Sequence, residues 1–566
     1  MLPPAAHGLG AANMEVESNS SGSDLSVPLA AQGYVAALSA LSPLAHGRVA
    51  AASAFLELES DRGSNSSGSL TLDSAVGLPV GASSRHDFPT ALSREEMALS
   101  REVAEGEGSD GGSDGPLDVA HIPECLAIVP LAADFNFSFT WASRLWVALK
   151  GLFGEDRLVA RLFSRERSIS THFSGLGTAE LAMAMLAAAG NRSMRARLGF
   201  RAAFACESSP ACRAILLERL SGACVYKDIL GRFQFDRSEY ELDGNLEYAA
   251  ARNRLWRTVP TPGSPCAAHG TVCVAPCVDG DVSGSPCTPW TRAAMASRKG
   301  RQHPCVVLLL AWCSWVRSAK PFVIVHENVV AFDVDVSEEI LWSLYWTQHL
   351  RVSPSHMGFP HIRRPRLYSV LIRRAGVLPP PQLALIYGQL VHCMRYATLA
   401  DSHAWPWRAP MKDLLEEENA TRHLRGLPSL AASSSDWSYL LTPPQAVRLQ
   451  HFLQQASPSA PTAALICDLS QNPDFFSPSR PGILPTLRRG SNRLWSPHYR
   501  RWLVRSERLA VMGFPVFQDL ANSAGIPMDV ASAQGPAFSI GNAMHVANVG
   551  SVLALAWLVA EAAPTD

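Results

Sequence analysis

Cys287 stands in SGSPCTPWT (283–291), a Gly/Ser-rich stretch with Pro286 on one side and Pro289 close behind. A cysteine on such a loop is open to reaction, whereas most lone cysteines are buried fillers. Forty residues on, FVIVHENVVAF (322–332) carries an apolar strand into Glu327. An acid that ends a buried strand needs a partner or a task. HIRRPRLYSVLI (361–372) then sets Arg364 and Arg366 immediately before another apolar run. Guanidinium groups at that point suit a pyrimidine carbonyl or a phosphate. Each group also has a plainer reading: a filler thiol, a strand-end cap, a solvated basic loop.

A second set lies upstream. FSGLGTAE (173–180) reads as a strand, a tight turn through Gly175 and Gly177, and a helix opening near Thr178. Small residues let the chain approach a ligand closely there, and a helix N-terminus favours negative charge. The turn is not GxGxxG, and a simple packing turn would look the same. Two acids add weight to the ligand reading. Glu207 ends a second strand-like segment, where acids accept hydrogen bonds from ribose hydroxyls in nucleotide folds. Asp228 ends a third, Val225–Ile229, at the same sheet edge. Together they point to nucleoside binding across the carboxyl ends of the strands.

The elements that must position these groups alternate in type. Residues 141–163 repeat Trp, Leu and Val at helical spacing, which predicts an amphipathic helix or helix pair. Strands are expected at 168–173, 204–207, 225–229, 321–326 and 368–372, with helices between them. That alternation predicts an α/β fold with a doubly wound parallel sheet. Residues 239–282 interrupt the rhythm as an insertion, and 376–490 as a separate smaller lobe. The lobe carries Trp405, Trp407, Trp437 and Tyr439 and ends in LRRGSNRLW (487–495), a mixture suited to backbone contact and base stacking. The expected divisions are a leader over 1–116, a catalytic core over 117–375, the lobe, and the rest of the core over 491–566.

Charge separates the leader from the rest. The 566 residues carry 49 Lys+Arg and 50 Asp+Glu, a net of −1. Residues 1–116 hold 15 acids and 5 bases, net −10, which leaves 44 bases and 35 acids, net +9, for the remainder. An acidic tail beside a polyanion-binding domain has this pattern, and so does a solvated leader on an ordinary domain. SNSSGS occurs at 18–23 and 64–69, and EGEGSDGGSDG fills 105–115, a composition expected to stay disordered. The apolar runs Val306–Ala311 and Val552–Ala560 fall short of the ~20 residues needed to span a bilayer, and the first residues lack a signal-peptide pattern. An intracellular, soluble protein is expected. The 12 cysteines are too sparse for a disulfide scaffold. Cys266, His269, Cys273 and Cys277 could hold zinc, but their spacing is not that of a standard finger, and no metal is assigned.

Taken in order, FSGLG, Glu207-Ser208, Asp228, GSPC, HENV, RRPRLY, RWLVRSERLAVMGFP (501–515) and GNAMHVANVG (541–550) resemble the C5-cytosine-specific DNA methyltransferase family over about 400 residues from Ser168. The resemblance implies a Rossmann-like methyltransferase sheet with a target-recognition lobe. Phe173, Gly175 and Gly177 would line an S-adenosylmethionine pocket, Glu207 would hold the ribose, Asp228 the adenine amine, and Asn542 would close the methionine end. Cys287 would be the nucleophile, with Glu327 and Arg366 gripping the cytosine and Arg364 supporting the loop. DNA would be the substrate, with the target base flipped out of the stack. A nuclear location follows from that substrate alone.

Two family glutamines are absent. Thr288 follows the Pro-Cys pair, and His361-Ile362 stand where the arginine element normally opens. An RNA cytosine-5 methyltransferase and a catalytically weak nucleic-acid-binding scaffold stay open beside the DNA enzyme. Protein partners are unknown, and no membrane association is expected.

Overall fold

β1 (Arg167–His172) owes its place to four consecutive buried residues, Ile169 to His172, too uniformly covered to lie on a surface. In the computed structural model, which describes residues 135–560 apart from 195–197, 292–298, 376–379, 381, 396–406, 457–464, 475–482, 489–493 and 536, this strand is near the middle of a seven-stranded sheet. The expected leader, 1–116, lies outside the described residues. The other strands are β2 (Phe200–Cys206), β3 (Cys224–Tyr226), β4 (Gly280–Ser283), β5 (Val323–Asn328), β6 (Tyr345–Val352) and β7 (Arg366–Arg373). Their order is β6-β7-β5-β4-β1-β2-β3. The five central and right-hand strands pair in parallel, and β7 runs antiparallel to both β5 and β6. The sheet is doubly wound, with its order reversing between β1 and β4. Ligands bind at such a reversal, outside the carboxyl ends of the strands.

Both faces are covered. Alternation along β5 sends Val323 and Val325 into one core and Ile324 into the other. The first core packs α1 (Trp141–Phe153), α2 (Thr178–Met194) and the C-terminal helix Val546–Val559 against the sheet. The second packs Tyr248–Arg257 and the apolar helix Val306–Ala319, whose Val306, Leu310 and Trp312 are fully buried. Length and composition alone would let Ser539–Val559 cross a bilayer, yet nearly all of it is buried inside the protein. Every residue of Val546–Val559 is covered, by the sheet, α1 and α2 among others.

Three expectations change. β3 stops at Tyr226, so Asp228 lies two residues past the strand. The expected insertion, 239–282, runs into β4, a full member of the sheet; only the part before Gly280 interrupts it. β6, which the sequence reading passed over, forms one edge. The smaller lobe has its own core of Trp437, Leu440, Phe452, Cys467, Trp495 and Trp502. Its three-stranded sheet joins Cys467–Asp468, Leu494–Ser496 and Arg501–Trp502, with strands on both sides of residue 490. The helix Leu383–Met394 packs through Leu383, Leu390 and Met394 on the main core instead. Glu507 joins lobe to core: it accepts two hydrogen bonds from buried Arg501 (2.8 and 3.0 Å) and one from Ala409 N (3.1 Å).

Candidate active site

The turn after β1 departs from ordinary backbone twice within three residues. Phe173 has φ +57° and Gly175 has φ +53°. A non-glycine residue with positive φ is uncommon, and such strain collects where a ligand is held. The turn is fixed from below. Gly175 N donates to Glu207 Oε2 (2.8 Å), Ser209 N donates to Glu207 Oε1 (2.7 Å), and Gly177 N donates to Ser174 O (2.8 Å). Glu207 therefore ties the turn to the start of Pro210–Arg219, and its remaining lone pairs are what a ribose hydroxyl could use. Asp228 is exposed and accepts from Leu230 N (3.0 Å), two residues further along the chain.

The two turn glycines do different work. A Cβ on Gly175 would meet no atom within 4 Å, so space opens above it. A Cβ on Gly177 would come within 2.7 Å of Arg219 Nη1 and 3.1 Å of Leu216 Cδ2, so that glycine permits helix packing. Gly175→Ala is accordingly expected to cost about 1–3 kcal/mol of stability from its positive φ and, where the cavity is the S-adenosylmethionine pocket that the sequence resemblance implies, to weaken that binding as well. Isothermal titration with S-adenosylmethionine beside a thermal melt would check this; unchanged affinity would remove Gly175 from the pocket wall.

One cavity brings Glu327 to the turn after β1, while Cys287, Arg366, Glu207 and Asp228 do not line it. Phe173, Gly175, Thr178 and Ala179 line one side, Gly284 and Glu327 another, and Asn542, Ala543 and Met544 close it. The positive end of α2 thus faces the cavity. Beneath it Glu180, which sequence reasoning missed, is fully buried and accepts from Thr171 Oγ1 (2.5 Å). Burial holds its carboxyl above the usual range, the Thr171 bond opposing this. Its place in the first turn of α2, pointing inward, was the only sequence signal.

The His-Glu-Asn run at the end of β5 splits by alternation. His326 and Asn328 share a face and hold the cysteine loop: Ser285 Oγ lies 2.9 Å from His326 Nε2, and Asn328 Nδ2 donates to Ser285 O (3.2 Å). His326 is stacked on Trp312 (4.8 Å between centroids), and burial lowers its pKa to about 3, so it is neutral. Trp312 Nε1 in turn donates to Asp281 Oδ2 (2.9 Å), whose Oδ1 lies 2.7 Å from His172 Nδ1. Glu327 points the other way, into the cavity.

Arg366 Nε is 3.1 Å from Glu327 Oε1, an ion pair without hydrogen-bond alignment, so that buried oxygen has no donor aimed at it. Burial raises the Glu327 pKa, with Arg366 and Arg364 pulling it back. Cys287 is half-buried, and burial followed by the Glu327 charge raises its thiol pKa, opposed by Arg366. The three groups thus share one electrostatic neighbourhood. Arg364 sits elsewhere in function: its guanidinium donates to Leu487 O (3.0 Å), Gly541 O (3.0 Å) and Ala543 O (2.6 Å). It stitches the lobe's return to the turn that closes the cavity. His361, which stands where the sequence resemblance leads one to expect a glutamine, is buried edge-on against Phe135, and its carbonyl accepts from Leu484 N (2.7 Å).

Of the lobe aromatics, Trp437 is core, Trp407 packs under Arg501, and Tyr439 is bonded to Glu418 and Arg422; Trp405 lies outside the described residues. No protein-family model and no curated protein sequence matches the chain. Solved structures similar to it include methyltransferases. They include a protein described as a DNA modification methyltransferase encoded within a prophage of E. coli, at 13% identity and TM-score 0.37 over 70% of this chain and 99% of that one. Spodoptera frugiperda DNMT2 is 13% identical (TM-score 0.32; 69% and 99%). The Entamoeba histolytica methyltransferase EhMeth is 11% identical (TM-score 0.32; 69% and 98%).

Proposed function

We propose that this chain is an S-adenosylmethionine-dependent DNA cytosine-5 methyltransferase that works through a covalent Cys287 adduct. The observation that carries the reading is the single cavity whose walls are the Phe173–Gly175 turn on one side and Glu327 on the other, with Arg366 and the cysteine loop beside Glu327. The open space over Gly175, the helix end at Thr178 and the exposed Asn542 fit a zwitterionic nucleoside, with Glu207 toward its ribose and Asp228 toward its base.

S-adenosylmethionine supplies, when bound, an electrophilic methyl group. Everything else falls to the chain. Cytosine C5 is a poor nucleophile; addition of the Cys287 thiolate to C6 moves an electron pair into an enamine whose C5 can attack. Protonated Glu327 donates to N3 and so neutralises charge building on the ring. Arg366 keeps Glu327 in place and offers its remaining N–H groups to O2. After methylation a base takes the C5 proton, the C5–C6 double bond re-forms, and the thiolate leaves. Arg364 holds the cavity's closing turn. In this reading the lobe, with Arg364 at its root, contacts the strand around a flipped base, and a DNA substrate implies a nuclear location.

Labelled methyl transfer from S-adenosylmethionine to DNA and to RNA tests this. Label in DNA is expected. Label in RNA alone would replace the substrate, and none in either would favour a binding scaffold.

A further inference from the structure

Four soft ligand atoms converge beside β3, outside the cavity. The sulfurs of Cys224, Cys266 and Cys273 and a ring nitrogen of His269 all lie within 4.8 Å of one another. His269 Nδ1 is 3.6 Å from Cys224 Sγ, 3.4 Å from Cys266 Sγ and 3.3 Å from Cys273 Sγ. One imidazole nitrogen carries one proton or one lone pair, so it can hydrogen-bond one of these thiols but not three. A tetrahedral zinc ion, with Zn–S ~2.3 Å and Zn–N ~2.0–2.1 Å, sets each sulfur about 3.5 Å from the nitrogen. The three observed edges have that length.

We infer that Cys224, Cys266, His269 and Cys273 form a structural Cys3His zinc site. The set differs from the sequence run in one member: Cys277 is exposed and outside the cluster, and Cys224, 42 residues upstream of Cys266, takes its place. The backbone builds the site. Cys266 and Cys273 lie on the paired strands Gly263–Pro265 and Val272–Val274 or next to them, joined by a turn in which Gly270 takes φ +67° and its N donates to Cys266 O (3.0 Å). The hairpin lies along β3: Ala267 N donates to Val225 O (2.7 Å), and Cys266 bridges Tyr226. Four protein ligands leave no open position, so the ion's work is structural. β3 is the edge strand opposite β6, and an exposed edge strand is a liability. The zinc staples the insertion over that edge, two residues before Asp228.

The test uses the full chain purified under reducing conditions without a metal-binding tag. Mass spectrometry should find about one zinc per chain, and cobalt(II) exchanged into the site should give the intense ligand-field bands of tetrahedral thiolate coordination. Cys224→Ser should lose the metal, and Cys277→Ser should keep it. If Cys224→Ser does not fold, thiol titration of the native wild type decides: three cysteines should become reactive only when a chelator is added. Absence of stoichiometric zinc together with no cobalt thiolate bands overturns the site. So does metal kept by Cys224→Ser and lost by Cys277→Ser.

Discussion

Cys287→Ser is expected to lower methyl transfer by at least about 10⁴-fold while leaving S-adenosylmethionine affinity and the melting temperature close to wild type. A serine hydroxyl nearly matches the thiol in size but ionises far less readily, and it adds poorly to C6. The residue is half-buried at a loop turn, where its carbonyl accepts from Trp290 N (3.0 Å) and Thr291 N (3.1 Å). That backbone turn survives the change, so lost activity would report chemistry and not folding. A second readout distinguishes the covalent route from simple positioning. A probe carrying 5-fluorocytosine has no C5 proton to lose, so the enzyme should stop at the adduct and stay attached to its substrate. The wild type should give this denaturant-stable species and Cys287→Ser should not. Retention of a tenth of the activity by the serine variant would sink the covalent mechanism.

The parts of the fold legible in the sequence are those whose signal is local. β5 and β7 are short apolar runs, β1 is a β-prone Ser-Ile-Ser-Thr stretch before a glycine turn, and β5 carries Glu327 next to its last residue. The helix opening at Thr178 follows a turn in which Gly175 and Gly177 both take positive φ. β4 escaped because Gly-Asp-Val-Ser has too little apolar content to mark a strand; it is made one by its neighbours β1 and β5. β6 escaped for a related reason, its Trp-Thr-Gln-His stretch being only partly buried at the sheet edge. In the site, sequence order brought Cys287, Glu327 and Arg366 together, but it could not tell that Arg364 spends its guanidinium on three carbonyls. Nor could it find Cys224: a ligand one strand away is invisible to spacing. Nor could it show that Glu207 holds Gly175 and Ser209 by their amides, a tertiary contact.

Glu327→Gln should lower the single-turnover rate by roughly 10²- to 10⁴-fold, the range for a general acid, and change the shape of the pH profile. The productive pair is a thiolate at Cys287 with a proton on Glu327. Burial raises both pKa values, and the Glu327 charge raises that of Cys287 further. The pair therefore titrates as a unit holding two, one or no protons, and only the one-proton form contains the productive state. The wild-type rate should rise with pH as the first proton leaves, then fall as the second leaves. Glutamine keeps the shape and a donor N–H but has no proton to give and no charge to gain. Its profile should lose the alkaline fall altogether. The rise should move to higher pH, because it waits on the thiol alone where the wild type can lose its first proton from either group, yet it should come below the pH of the wild-type fall, because no negative charge next to Cys287 opposes the thiolate. A slower variant whose rise comes at the pH of the wild-type alkaline fall would mean that Glu327 does not couple to Cys287. Glu327 would then be left as an anchor for Arg366 alone.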